Sequence, residues 1–416
     1  MSDVAGNSET PDTKPMRVLL FSTLFPHQGE PTLGVFVRNR LIELRKTGQV
    51  DAIVIAPVPW FPFKSKIFGS YARAASAPAM EVQGGITVYH PRYLVIPKVG
   101  MMLTPYTLAQ AGKRAFRKLQ RQGRKFDIID AHYLFPDAVA AAALSKWSGI
   151  PFVATARGSD VSQIGQMPKP KRLILAACAM ARHLITVSQS LKDLMVKMGV
   201  NADKITPLRN GVDTSKFVRN PQGRAEICQA TGLDPNKPIV VFAGWLIPRK
   251  RVDIVISAIA RLDAVQALII GDGPLSEKLS AQTTTLELET RVAFVGRISP
   301  SDMPRFFSAG DVFCLPSERE GWANVMLEAM ACGIPVVSRA VDGALELITE
   351  EIAGRLVEGD DPEDYARAIA SVVDAKYHAE DVRAFAQKFG WKSTTDGQLR
   401  IFRQVVASAA SEIIKN

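Results

Sequence analysis

The chain has 416 residues, more than one hydrophobic core usually serves, so two domains of ordinary size are expected. Apolar residues make up 47% and charged residues 22%, the balance of a globular protein, and no run approaches the roughly 20 consecutive apolar residues of a membrane span. The net charge of +10 is uneven: residues 1–210 hold 28 Lys+Arg against 13 Asp+Glu and residues 211–416 hold 23 against 28, so the first half suits an anionic partner such as nucleic acid, a phosphate-bearing substrate or an anionic membrane surface.

Residues 1–15 are polar, carry two Pro and show no periodicity, which reads as a disordered tail. No basic stretch followed by an apolar core opens the chain, so a cytoplasmic location is expected. Beyond it, short β-branched runs alternate with segments of helical period, the pattern of βα units that build a parallel sheet covered on both faces. Strands are predicted at Arg17–Phe21, Ala52–Ala56, Ile86–Tyr89, Asp127–Ala131, Phe152–Thr155, Leu184–Val187 and Ile205–Leu208. A second series follows at Ile239–Ala243, Ala267–Ile270, Val292–Val295, Val312–Leu315 and Pro335–Ser338. The expected class is therefore α/β with two Rossmann-like domains, over 16–210 and 211–388, divided at the turn Asn210-Gly211-Val212-Asp213.

Several features narrow the chemistry. Cys178, Cys228, Cys314 and Cys332 are far apart without C-x-x-C spacing, which points to neither a disulfide framework nor a zinc site. No G-x-G-x-x-G follows a strand, which argues against a dinucleotide-dependent dehydrogenase. No D-x-D motif occurs and the five histidines lack ligand spacing, so no metal or other cofactor is expected. Open parallel sheets bind ligands beyond the carboxyl ends of their strands, so the residues just after each strand matter most.

The most informative of these segments runs Asp311-Val-Phe-Cys-Leu-Pro-Ser317, Glu318-Arg-Glu-Gly-Trp-Ala-Asn324, Val325-Met-Leu-Glu-Ala-Met-Ala-Cys-Gly333. It reads as strand, polar loop and a helix closed by glycine. Glu320 falls in the loop and Glu328 within the helix, where both can face one cleft, and a helix start can hold a diphosphate. Two glutamates eight apart also arise by chance, as a dipole-complementing and a solvated residue. Gly244-Trp-Leu-Ile-Pro-Arg-Lys-Arg-Val-Asp253 likewise follows a strand and opens a helix, placing Arg249 and Lys250 where cations can neutralise a departing diphosphate.

With its context, the 311–338 segment resembles the E-x7-E region of the retaining family-4 glycosyltransferases of GT-B architecture, two Rossmann-like domains facing a central cleft. The resemblance runs from about Met16 to the last helix. It implies transfer of a sugar from a nucleotide-diphosphate donor to a glycan or lipid-linked acceptor, with retention and without a metal, in cell-surface polysaccharide or glycolipid synthesis. Glu320 would then contact the sugar hydroxyls and Glu328 the ribose, with Trp322, Asn324 and Val325 beside them. Arg249 and Lys250 match the phosphate-binding pair, although Trp245 stands where the family often has arginine. Arg297 would line the base pocket, Gly34 would let backbone approach the diphosphate, and His132 would reach the donor sugar from the first domain. Arg157 and Asp160, in Thr155-Ala-Arg-Gly-Ser-Asp160, match acceptor-side positions and equally suit a turn with a capping Asp. Gly271-Asp-Gly-Pro274 is typical of the family and reads as structural. The segment 389–416 resembles the helix that crosses back to the first domain. Catalysis is thus expected from Glu320, His132 and Lys250.

Lys113-Arg-Ala-Phe-Arg-Lys-Leu-Gln-Arg-Gln-Gly-Arg-Lys125 has seven cations and no acid, suiting either solvent or anionic lipid at the inner face of the cell membrane. Trp60-Phe-Pro-Phe-Lys-Ser-Lys-Ile-Phe68 interleaves aromatics with Lys64 and Lys66; exposed, it suits a membrane interface or a lipid-linked acceptor, and buried, a lid on the first domain. Single-stranded nucleic acid would suit the same pattern, but no nucleic-acid module accompanies it and no nucleic-acid partner is expected. Two other functions fit the same features: a sugar-nucleotide epimerase of similar fold, and a non-catalytic protein that binds a nucleotide sugar.

Overall fold

The computed structural model describes residues 14–61, 69–96 and 100–415. Most of the predicted tail and residues 62–68 of the aromatic loop lie outside the described residues. The strands are β1 Met16–Phe21, β2 Val50–Ile55, β3 Val58–Pro59, β4 Met80–Gln83, β5 Ile86–Tyr89, β6 Arg92–Tyr93, β7 Ile128–His132, β8 Phe152–Ala156, β9 His183–Thr186 and β10 Ile205–Pro207. Then follow β11 Ile239–Ala243, β12 Gln266–Ile270, β13 Val292–Gly296, β14 Val312–Leu315, β15 Val336–Arg339 and β16 Gly354–Val357.

Every predicted strand is present within two residues at either end. The central ones read clearly because both their faces are covered: each residue of β7, β8, β11, β12 and β14 is buried, which favours a largely apolar run. Four strands escaped prediction. β3 and β6 are two residues each, and β16 opens on Gly354-Arg355. β4 runs antiparallel to β5 and is partly exposed throughout, so Met80-Glu-Val-Gln carries no core signal.

By contact, the chain forms two compact units. The first comprises the described parts of Met1–Thr155, Lys169–Leu184 and Leu399–Asn416; the second comprises Ala156–Pro168 and Ile185–Gln398. Arg157 and Asp160 therefore belong to the unit that carries Glu320, and helix Trp391–Lys415 contributes to both.

In the first unit the strand order is β8-β7-β1-β2-β5-β4. In the second it is β13-β12-β11-β14-β15-β16. Each order grows outward from a central strand in one direction and then in the other. The chain thus reverses its winding between β1 and β7, and again between β11 and β14. Connections at such a point leave for opposite faces of the sheet, opening a crevice beyond the strand ends.

Local sequence shapes these crevices. Helix Val35–Lys46 buries Val37, Arg40, Leu41 and Leu44, an i, i+3, i+4, i+7 stripe against the first sheet. It starts at Gly34, whose φ of 61° is left-handed and whose added Cβ would lie 2.2 Å from the Leu24 carbonyl oxygen. Only glycine fits there. Helix Val252–Ile259 buries six of its eight residues, each buried Val or Ile side chain contributing about 1.5–3 kcal/mol.

Gly271-Asp-Gly-Pro274 braces the loop after β11. Leu246 N–H donates to the Asp272 carbonyl at 2.9 Å, and Leu275 N–H to the Leu246 carbonyl at 3.1 Å. Gly271 has φ 135°, and a Cβ there would meet the Gly244 oxygen at 1.9 Å. Gly271→Ala is therefore expected to destabilise the second unit by about 2 kcal/mol or more, lowering its melting temperature by roughly 4–8 °C in calorimetry.

Candidate active site

The crevice of the first unit is closed at its base by hydrogen bonds between the loops after β1 and β7. Ser22 Oγ donates to the His132 carbonyl at 3.0 Å, and Thr23 Oγ1 donates to the buried Asp137 carboxylate at 3.0 Å. His132 ends β7, as predicted, but its side chain is only 1% exposed and its Nε2 lies 3.0 Å from Asp130 Oδ2. Residues i and i+2 of a strand share a face, so the Asp130 carboxylate orients the ring.

Beneath them is Arg40, which sequence reasoning missed. It is 1% exposed, and burial pulls its guanidinium down to about 10 while Asp130 opposes the fall. Its signal was an arginine on the buried stripe of an amphipathic helix. Surface helices rarely place a charge there without a partner.

The second unit gathers more of the predicted residues. After β11 the chain makes a tight 3-10 turn, Pro248–Lys250, and after β14 it makes the loop that holds Glu320. These segments meet at the winding reversal. Lys250 Nζ donates to Glu320 Oε1 at 2.6 Å, and Arg249 lies 3.5 Å from the same oxygen. Burial alone would raise the Glu320 carboxyl, but Lys250 and then Arg249 overcome it and hold the group below the usual carboxylate range.

The main chain of the loop is pinned as well. Glu318 N–H donates to the Arg249 carbonyl at 3.0 Å, Arg249 Nη1 donates to the Arg319 carbonyl at 2.8 Å, and Gly343 N–H donates to the Glu320 carbonyl at 3.1 Å. Gly321 allows the backbone of Gly158 to approach, since its Cβ would lie 3.0 Å from the Gly158 Cα. That places Arg157 and Asp160 beside the Glu320 loop. Asp160 is a capping residue: its carboxylate accepts from the Arg157 and Gly158 amides at 3.1 and 2.8 Å.

Three further residues expected at the donor make contacts within the protein. Trp322 is buried, its Nε1 donates to the Asn210 carbonyl at 3.0 Å, and its ring lies against Phe389 and Arg209, so it anchors the loop through protein contacts. Asn324 accepts from Asn210 Nδ2 at 3.2 Å, leaving Val325 half-buried beside it. Arg297, following β13, is half exposed and pairs with Asp272 at 3.0 Å. Trp245 is exposed, in keeping with Arg249 rather than position 245 supplying the charge near Glu320.

Glu328 lies in helix Asn324–Ala331, eight residues after Glu320 and in a different electrostatic setting. Burial pushes its carboxyl up to about 7, and only Lys216 works against the shift. An ionisable group held that far from its ordinary value is characteristic of functional sites. Among the described residues, no group of three or more His, Cys, Asp or Glu is placed to hold a metal ion.

Two doubly wound sheets, with a Lys–Glu–Arg cluster at the reversal of the second, have the architecture of the two-domain glycosyltransferases. The comparisons agree: residues 63–216 match the model described as Glycosyltransferase Family 4, and residues 223–389 match Glycosyl transferases group 1. A D-inositol 3-phosphate glycosyltransferase of Acidothermus cellulolyticus is 30% identical over 308 residues, 68% of each chain. TuaC of Bacillus subtilis (strain 168), whose name places it in teichuronic acid biosynthesis, is 28% identical over 80% of this chain and 83% of its own. Among solved structures, sucrose-phosphate synthase of Thermosynechococcus elongatus superimposes with a TM-score of 0.77 at 20% identity, over 95% of this chain and 100% of that one, a likeness of fold. The chain belongs to the family-4 glycosyltransferases.

The raised Glu328 carboxyl makes a thermodynamic prediction. The folded protein retains this proton to a higher pH than the unfolded chain does, so the contribution is fully favourable below about 4.5 and is lost as pH rises through about 7. The loss amounts to about 3 kcal/mol. Glu328→Gln is therefore expected to gain stability relative to wild type as pH is raised from 5 to 8. Urea unfolding across that range checks it; a difference that does not change with pH would show an unshifted carboxyl.

Proposed function

We propose that the enzyme transfers a hexose from a nucleotide-diphosphate donor to a glycan or lipid-linked acceptor, with retention of configuration and without a metal. The observation that carries this reading is the Lys250–Glu320–Arg249 cluster, held by both side chains and main chain at the reversal of the second sheet. Lys250 and Arg249 supply two positive charges where charge grows on a leaving diphosphate, the electrostatic task of this chemistry. Glu320, kept ionised by them, accepts hydrogen bonds from sugar hydroxyls. Glu328 accepts from the ribose, and ribose hydroxyls donating to its carboxylate offset the desolvation that raises its pKa.

Val325 and Asn324 line the start of the helix between the two glutamates, and Trp322 supports them from behind. From the first unit, His132, oriented by Asp130, and the backbone at Gly34 serve the same reaction. Arg157, with its amide capped by Asp160, serves the acceptor side, and Arg297 the nucleotide base. The relatives support the class of substrate: a structure of the Anabaena protein HepE, 22% identical with a TM-score of 0.72 over 94% of this chain and all of that one, contains UDP and glucose. The D-inositol 3-phosphate glycosyltransferases and TuaC point to a polar hydroxyl acceptor in cell-surface glycan or glycolipid assembly.

Thermal shift with UDP-, GDP- and ADP-sugars identifies the donor, since a ligand at 100 times its Kd stabilises the folded state by about 2.7 kcal/mol. With that donor, Glu320→Gln is expected to lower kcat by about 10²–10³ while nucleotide affinity stays near wild type. Lys250→Met should lower kcat by a similar factor and also weaken diphosphate binding, and Glu328→Ala should act chiefly on nucleotide affinity. Wild-type turnover by Glu320→Gln would refute the assignment.

A further inference from the structure

Between Glu81 and Asp127 the chain carries nine Lys and Arg and no Asp or Glu. Among the described residues of 94–106, five large apolar side chains face water: Leu94, Ile96, Met101, Leu103 and Tyr106 are 52, 42, 37, 53 and 60% exposed. They form one knuckle. Gly100 N–H donates to the Ile96 carbonyl at 2.9 Å, Leu103 N–H donates to the Gly100 carbonyl at 2.9 Å, and Thr107 Oγ1 donates to the Leu94 carbonyl at 2.8 Å. The knuckle is thereby fastened to the first turn of helix Thr104–Arg121.

Along the same helix Tyr106, Gln110, Arg114, Arg117 and Arg121 are exposed, and Lys113 is half-buried. At 100° per residue all six fall within about a third of the circumference, on the turns that continue from Leu103. Lys113 and Arg117 also stand over the ring of the half-exposed Trp147, at 5.9 and 4.9 Å from its centroid. One continuous surface therefore begins apolar and becomes cationic about 10 Å further along the helix.

We propose that this surface docks the enzyme on an anionic lipid bilayer, with the side chains of Leu94, Ile96, Met101, Leu103 and Tyr106 in the acyl–headgroup boundary and Lys113, Arg117 and Arg121 among lipid phosphates. Exposed apolar patches mark interaction sites, and five such side chains within thirteen residues exceed ordinary surface scatter. The cations select the partner. They lie at headgroup height when the knuckle is immersed, where each strengthens attraction to anionic lipid, and their long stems let the charges remain in the polar layer. A single-stranded nucleic acid would need aromatic stacking platforms, whereas this knuckle is mostly aliphatic.

The test is flotation of the full chain with vesicles of phosphatidylcholine, alone or with about 30% phosphatidylglycerol, at low and high salt. The protein is expected to float with the anionic vesicles only and to be released by salt. Lys113→Glu with Arg117→Glu and Arg121→Glu should weaken partitioning at least tenfold, as should Leu103→Ser with Tyr106→Ser. Both variants should keep the wild-type melting temperature and nucleotide-induced shift, which separates lost docking from unfolding. With Tyr106→Trp, brominated acyl chains should quench emission beyond that of wild type. The proposal falls if the wild type does not float, or if it floats equally with neutral lipid. It also falls if both variants float as the wild type does, including the case in which Leu103→Ser with Tyr106→Ser dissolves a dimer instead. Flotation uses no donor, so its failure leaves the donor assignment standing.

Discussion

The reversal of winding at the middle of each sheet is the constraint on which the rest of this protein depends. Two adjacent parallel strands send their connections to opposite faces, so nothing fills the space beyond their carboxyl ends. In the first unit that space lies beyond β1 and β7, and the chain uses it for Gly34, Ser22 and His132. In the second it lies beyond β11 and β14, and is occupied by Lys250, Arg249 and Glu320. One topological device, used twice, decides where charge can collect without being packed over by a helix.

The charges collected there make sense as chemistry more than as stability. A largely buried ion pair gains little over an apolar pair of the same volume, because desolvation offsets the attraction. Yet Lys250 and Glu320 are held together at 2.6 Å and the loop around them is tied down by three further hydrogen bonds. Eight residues on, Glu328 receives no comparable compensation and its carboxyl is pushed up to about 7. Two residues of one type, close in sequence, are thus shifted in opposite directions because Lys250 and Arg249, in the turn after β11, face one and not the other. The first unit repeats the theme with Arg40, Asp130 and His132, polar groups kept in the interior by one another.

Much of this was legible in the sequence, and the exceptions share a cause. The central strands announced themselves because burial on both faces favours largely apolar runs, whereas β4 and β16, at sheet edges, have no such requirement. Glu320, Arg249 and Lys250 could be assigned to one cleft because each lies in the loop after a strand of an open sheet. Arg40 stayed hidden because a helical arginine ordinarily marks solvent. The bond from the Trp322 indole N–H to the Asn210 carbonyl was not legible either, because the two residues are 112 apart in the chain. Asp160 could be read two ways, and its carboxylate in the structure caps the Arg157 and Gly158 amides.

The amino-acid sequence by itself determined the α/β class, the series of strands, the glycines that only a left-handed or crowded backbone tolerates, and the family. Those properties are local: each follows from the period, conformation or motif of a short stretch of chain. Tertiary structure alone decided strand order, the pairing of Lys250 with Glu320 across 70 residues, the opposite shifts of Glu320 and Glu328, and the gathering of Leu94, Ile96, Leu103 and Tyr106 into one exposed knuckle. Burial and electrostatic coupling are properties of what surrounds a side chain in space, and residues distant in the chain supply most of those surroundings.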